Sequence, residues 1–152
     1  MSDPMEPDVV RGFLAIVVRC LRTTVGIEAV VAAAGESGAR VAPTIAVALD
    51  LQGDVRGPVT WMFPPAIALE LVRRLLDDPD PAPETVADGA TELANILTGR
   101  ANEALQAHGF RCEIGAPRVH VGPPPTGLMT RIITADGPID VVLSLSSSPT
   151  AS

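Results

Sequence analysis

The chain has no tyrosine, no lysine and a single tryptophan, and aromatic residues make up only 3% of it. With so few rings, a core has to be assembled from Val, Ile, Leu and Ala. The stacked aromatic platforms that hold single-stranded nucleic acid are therefore not expected. All positive charge comes from arginine, 11 residues against 18 acidic ones, for a net charge of -7. A duplex-binding protein concentrates Lys and Arg to neutralise phosphates. Here Arg19 and Arg22, then Arg73 and Arg74, form only short local clusters. No nucleic-acid partner is expected. An acidic surface suits solubility and protein partners without selecting among them.

Cysteine is equally sparse. Cys20 and Cys112 are too few for a disulfide framework, neither lies in a CxxC, and His108 and His120 complete no ligand spacing. Both thiols read as ordinary semi-buried residues, and no metal site is expected. Long apolar runs are missing too. The stretch GFLAIVVRCL carries Arg19 and falls well short of the roughly 20 residues a spanning helix needs. The start, MSDPMEPDVV, lacks the basic segment and apolar run of a signal peptide. These features predict a soluble, cytoplasmic protein with no membrane segment.

What the chain does have is 152 residues, 47% of them hydrophobic, with a mean hydropathy of +0.31. That is enough apolar material for one domain, read as residues 1–146 with a disordered tail over 147–152. Val10, Phe13, Leu14, Val17, Val18 and Leu21 recur at helical spacing, and Gly26 fits the stop. GIEAVVAAAG reads as a strand. VAPTIAVALDL and GPVTWMF read as a hairpin turning at QGDVR, and Pro64-Pro65 opens a short helix. After the loop LDDPDPAPE, the longest helical segment runs from about Glu84 to His108. FRCEIGAPRVHVG is strand-like but broken at Pro117, and LMTRIITADGPIDVVLSLS reads as two strands joined at Asp136-Gly137. Helix, strand opening with glycine, then hairpin: that order occurs from Val9 to Phe63 and again from Glu84 to Ser146. The expected class is α+β, a duplicated helix-plus-strands unit giving a mixed or mainly antiparallel sheet with two long helices on one face.

The second long helix carries the chemistry. Asp88, Glu92, Asn95 and Gly99 lie at i, i+4, i+7 and i+11, within roughly 60° of one another at about 100° per residue. Leu93, Leu97, Ala101, Ala104 and Leu105 claim the other side. A polar stripe on such a helix is ordinarily its solvated face, and Thr85 followed by Asp88 resembles a capping box supporting the helix start. That plain explanation fits Asn95 and Gly99 badly. Both are weak helix formers, and an interior Gly costs about 1 kcal/mol relative to Ala. Gly99 makes sense where another surface approaches closely, and Asn95 where a fixed amide is wanted on the outside.

The pattern Asp88-x-x-x-Glu92-x-x-Asn95-x-x-x-Gly99 resembles the signature of the CheC, CheX and FliY phosphatase family, and IGAPRVHVG with Pro117 and Gly122 resembles its continuation into the following strand. FLAIVVRCLRTTVGIE is similar to the first helix and strand of the CheX branch. Aligning Gly26 with Gly99 puts Arg19 and Arg22 where Glu92 and Asn95 stand, so only one half carries the pair, as in CheX. The resemblance implies an enzyme that hydrolyses the aspartyl phosphate of a CheY-like response regulator in chemotaxis or another two-component pathway. It makes Asn95 the group that orients water and Glu92 the contact for the regulator's lysine, with Asp88 and Gly99 as support. It implies that Mg2+ sits on the regulator, with no cofactor bound by this chain, and that the chain forms a homodimer. The alternative is a non-catalytic module of the same fold that binds a regulator or joins an assembly.

Overall fold

The computed structural model describes residues 3–32, 44–123 and 125–147. In chain order the elements are β1 (Asp3–Pro4), α1 (Pro7–Val25), β2 (Ala29–Val31), β3 (Ile45–Gly53), β4 (Val55–Phe63), α2 (Pro65–Leu76), α3 (Pro83–Ala107), β5 (Cys112–Ile114), β6 (Arg118–Val119), β7 (Leu128–Thr134), β8 (Gly137–Leu143) and β9 (Ser146–Ser147). Each helix begins with a proline in its first turn, where the missing N–H would have had no partner anyway. Helix α1 ends on Gly26 in the left-handed conformation, its N–H donating to the Arg22 carbonyl, as the sequence predicts.

The sheet is antiparallel throughout, in the order β2-β7-β8-β4-β3, with β5 and then β6 pairing the outer edge of β3. This arrangement realises the duplication. The opening strand of each unit joins the other unit's hairpin, β2 on β7 and β5 on β3, while β4 and β8 meet in the middle. Alternation along the strands sends Val47, Leu49, Leu51, Val59, Trp61, Phe63, Ile139, Val141 and Leu143 into one core beneath the helices. The two long helices repeat the same burial pattern. Val9-Val10, Phe13-Leu14, Val17 and Cys20-Leu21 of α1 correspond to Leu93-Ala94, Leu97-Thr98, Ala101 and Ala104-Leu105 of α3. They pack antiparallel, since Gly12 near the start of α1 lies beside Ala104 and His108 at the end of α3.

Four details differ from expectation. The strand expected in GIEAVVAAAG is confined to Ala29–Val31, and residues 33–35 lie outside those described. Ser147, assigned to the tail, forms β9 with Ser146 and bridges Asp3 and Val55; 148–152 lie outside the described residues. The last hairpin turns at Ala135-Asp136, because Thr134 and Gly137 already pair across it. Helix α3 starts on Ala82 with no side-chain cap, so Thr85 and Asp88 are inside the helix and form no capping box.

Gly89 is buried in α3, and a Cβ there would lie 2.7 Å from both methyls of Val72 on α2. Valine's branched side chain has little room to turn aside. Helix propensity alone favours Gly89→Ala by about 1 kcal/mol, but overpacking opposes it by about 1–3 kcal/mol. The expected result is a lower urea midpoint; an unchanged or higher one would mean that the two helices part without strain.

Candidate functional site

The site is built on α3 by the burial of its opposite face. Leu93, Leu97, Ala101 and Leu105 are fully buried, which fixes the rotation of the helix about its axis. Asp88, Glu92, Asn95 and Gly99 are then all exposed, one stripe along an unbroken helix. Glu92 and Asn95 are separated by about 4.5 Å of axial rise. Thus the structure brings together all four residues that the sequence singles out.

Neither Glu92 nor Asn95 makes a side-chain hydrogen bond or ion pair with the described residues. Arg100, a candidate partner for Glu92 within the helix, instead sits 3.5 Å from Glu103. Around Gly99 no atom from elsewhere among the described residues would come within 4 Å of an added Cβ. Packing among the described residues demands no glycine there, in contrast to Gly89.

The register of the two helices corrects one expectation. Matched by burial, the positions of Glu92, Asn95 and Gly99 fall on Asp8, Arg11 and Ala15 of α1, not on Arg19, Arg22 and Gly26. Gly26 caps a helix end, whereas Gly99 lies mid-helix, so aligning the two glycines displaced the comparison. Asp8 and Arg11 bond to each other. The conclusion that one half alone carries the Glu-x-x-Asn pair stands on this register.

Sequence reasoning missed the polar link beneath the stripe. The Trp61 indole N–H donates to Thr98 Oγ1 at 2.9 Å, and Thr98 donates to the Ala94 carbonyl at 2.8 Å. A threonine on the apolar face of a helix, in a chain with one tryptophan, was the available signal. Elsewhere, Asn102 donates through Nδ2 to the Cys112 carbonyl at 3.2 Å and ties α3 to β5. Cys20 and Cys112 are free thiols, and burial pushes the Cys112 thiol above its ordinary range. Among the described residues no three His, Cys, Asp or Glu side chains gather as a metal-holding group, and no helix is long and apolar enough to cross a membrane.

The fold is similar to that of CheC-like and CheX-like chemotaxis proteins of known structure. It is similar to the crystal structure of CheX from Desulfovibrio desulfuricans, at a TM-score of 0.74 and 18% identity over 93% of this chain and 99% of that one. It is similar to CheX from Vibrio vulnificus, at 0.72 and 22% over 91% and 96%. It also matches a chain of the CheX-CheY-BeF3-Mg2+ complex from Borrelia burgdorferi, at 0.67 and 21% over 93% and 98%. At such identities the likeness establishes the fold. No curated protein matches the chain by sequence. The family model of the chemotaxis phosphatase CheX matches residues 45–126, more than half of the chain and all of α3. The chain belongs to the CheX family.

Because Gly99 is exposed, mid-helix and uncrowded, Gly99→Ala is expected to stabilise α3 by up to about 1 kcal/mol. Urea denaturation of the two proteins reads it directly. A loss of stability would mean that the glycine serves the fold after all.

Proposed function

We propose that this chain is a phosphatase for a phosphorylated CheY-like response regulator, with Asn95 orienting the attacking water and Glu92 docking the regulator. The observation that carries the reading is the outward presentation of both side chains on one face of a packed helix, with neither engaged by the described residues. Membership of the CheX family supports the activity, and similarity to the chain in complex with CheY, BeF3 and Mg2+ supports the kind of partner.

Hydrolysis of an aspartyl phosphate forms a bond from a water oxygen to phosphorus as the bond from phosphorus to the carboxylate oxygen breaks. The aspartate leaves as a carboxylate, which needs no proton, and the proton lost by water passes to phosphate or solvent. Alignment of the water is therefore the main requirement. The Asn95 carboxamide accepts a hydrogen bond from that water through its oxygen and has two N–H donors to hold a phosphoryl oxygen. It does not titrate, so it aims the water without taking a proton. Alignment of this kind can contribute up to about 7–11 kcal/mol. Mg2+ and a lysine belong to the regulator in this scheme. Glu92 pairs with the lysine as water is excluded from the interface, which strengthens the contact. Gly99 leaves the surface low where the regulator lies, and Asp88 extends the acidic edge one turn before Glu92. The working form is a cytoplasmic homodimer, by the same family likeness.

The test is phosphate release from response regulators charged with a small phosphodonor, with and without this protein. Asn95→Ala is expected to lower the stimulated rate by about 100-fold, with an unchanged unfolding midpoint because the residue is exposed. Release at the wild-type rate by that variant would remove Asn95 from the chemistry. Glu92→Ala is expected to raise the regulator concentration needed for half-maximal rate and to keep part of the rate at saturation. If the wild-type protein binds a charged regulator without speeding release, the non-catalytic module is the correct reading.

A further inference from the structure

The Trp61-Thr98 link lies wholly inside the core, both residues being 0% exposed. Its direction is forced. An indole N–H can only donate, so the Thr98 hydroxyl accepts from Trp61 and turns its own hydrogen to the Ala94 carbonyl. That carbonyl belongs to the peptide unit whose nitrogen is that of Asn95. Thr98 is also three residues beyond Asn95, the adjacent position one turn along the helix. A continuous path of covalent and hydrogen bonds therefore runs from the central strand β4 to the backbone of Asn95.

The fold does not require this link. In the matching half of the molecule, the position of Thr98 is taken by Leu14, and the residues of β8 that face the helices are Ile139, Val141 and Leu143. The same packing problem is solved there with hydrocarbon alone. A buried polar pair is roughly break-even against apolar residues of similar volume, and it becomes costly when one member is lost. Among the described residues, the helix that carries Glu92 and Asn95 has a side-chain hydrogen bond to the middle of the sheet, and α1 has none. Aliphatic contacts let a helix rotate or slide by a fraction of an ångström at little cost, whereas hydrogen bonds weaken steeply with angle. A threonine bonded back to the carbonyl four residues earlier also sets the local bend of its helix.

We infer that Trp61 and Thr98 are positioning residues that hold the Asn95 carboxamide in the orientation its reaction needs. This inference rests on the phosphatase reading above. Misplacement by about 1 Å can cost on the order of 100-fold in rate, so a link of this kind acts on turnover more than on docking.

The experiment compares Thr98→Val, which keeps the shape and loses the hydroxyl, with Thr98→Ser, which keeps the hydroxyl. Ile132→Ala on β7, a fully buried residue outside α3, serves as the core variant. Thr98→Val is expected to lower kcat for phosphate release by about tenfold or more while KM for the regulator stays within about twofold. Thr98→Ser should restore kcat, and Ile132→Ala should lose stability with kcat preserved. Should Thr98→Val not fold, Trp61→Phe removes the same bond and is expected to behave alike. Wild-type kcat in Thr98→Val, or an equal loss in Ile132→Ala, would overturn the inference. A second arm needs no regulator. The side-chain amide resonances of Asn95, assigned by their loss in Asn95→Ala, should shift in Thr98→Val and stay in place in Thr98→Ser. If no regulator is dephosphorylated by the wild-type protein, the phosphatase reading fails, and the amide resonances still decide whether Thr98 positions Asn95.

Discussion

The angle at which α3 rests on the sheet is the constraint from which the rest of the molecule's chemistry follows. Leu93, Leu97, Ala101 and Leu105 are pressed into the core, and that burial decides which residues look outward. A turn of the helix by one residue position would carry Asn95 toward the sheet and bring a leucine into water. Hydrophobic burial sets this angle coarsely, because it is proportional to area and has no direction. The Trp61-Thr98 bond adds a directional contact between α3 and β4.

The duplicated architecture explains how such a helix comes to be supported along its whole length. Each unit lends its opening strand to the other unit's hairpin, so the halves cannot separate without breaking the sheet. Both halves then have the same helix on the same surface, yet they have diverged in what that helix presents. On α1 the outward positions hold an arginine and an aspartate that satisfy each other. On α3 the corresponding positions hold a carboxylate and a carboxamide left unengaged by the described residues. A repeat of this kind permits one copy to keep the scaffold while the other is committed to a surface.

Three helix glycines show how little a residue type says without its surroundings. Gly12 is where α1 and α3 pass each other, with His108 and Ala104 at ordinary contact distance from an added Cβ. Gly89 is where α2 presses on α3 so closely that no Cβ fits. Gly99 has no described residue within 4 Å of where a Cβ would stand. Propensity alone treats all three alike, as helix-weakening residues in amphipathic segments.

Patterns of period 3.6 and 2 are written residue by residue, so the sequence by itself determined the helices, the hairpins, the duplication and the polar stripe of Asp88, Glu92, Asn95 and Gly99. The family signature on that stripe was legible for the same reason, being a spacing along one helix. Tertiary structure alone decided what depends on residues far apart in the chain. The exchange of strands between the units, the true register of α1 against α3, the start of α3 on Ala82 and the meeting of Trp61 with Thr98 all belong there. Local periodicity states which face of an element is apolar, but it carries no information about which partner that face meets or at what height, because those are fixed by packing among segments that the linear order keeps apart.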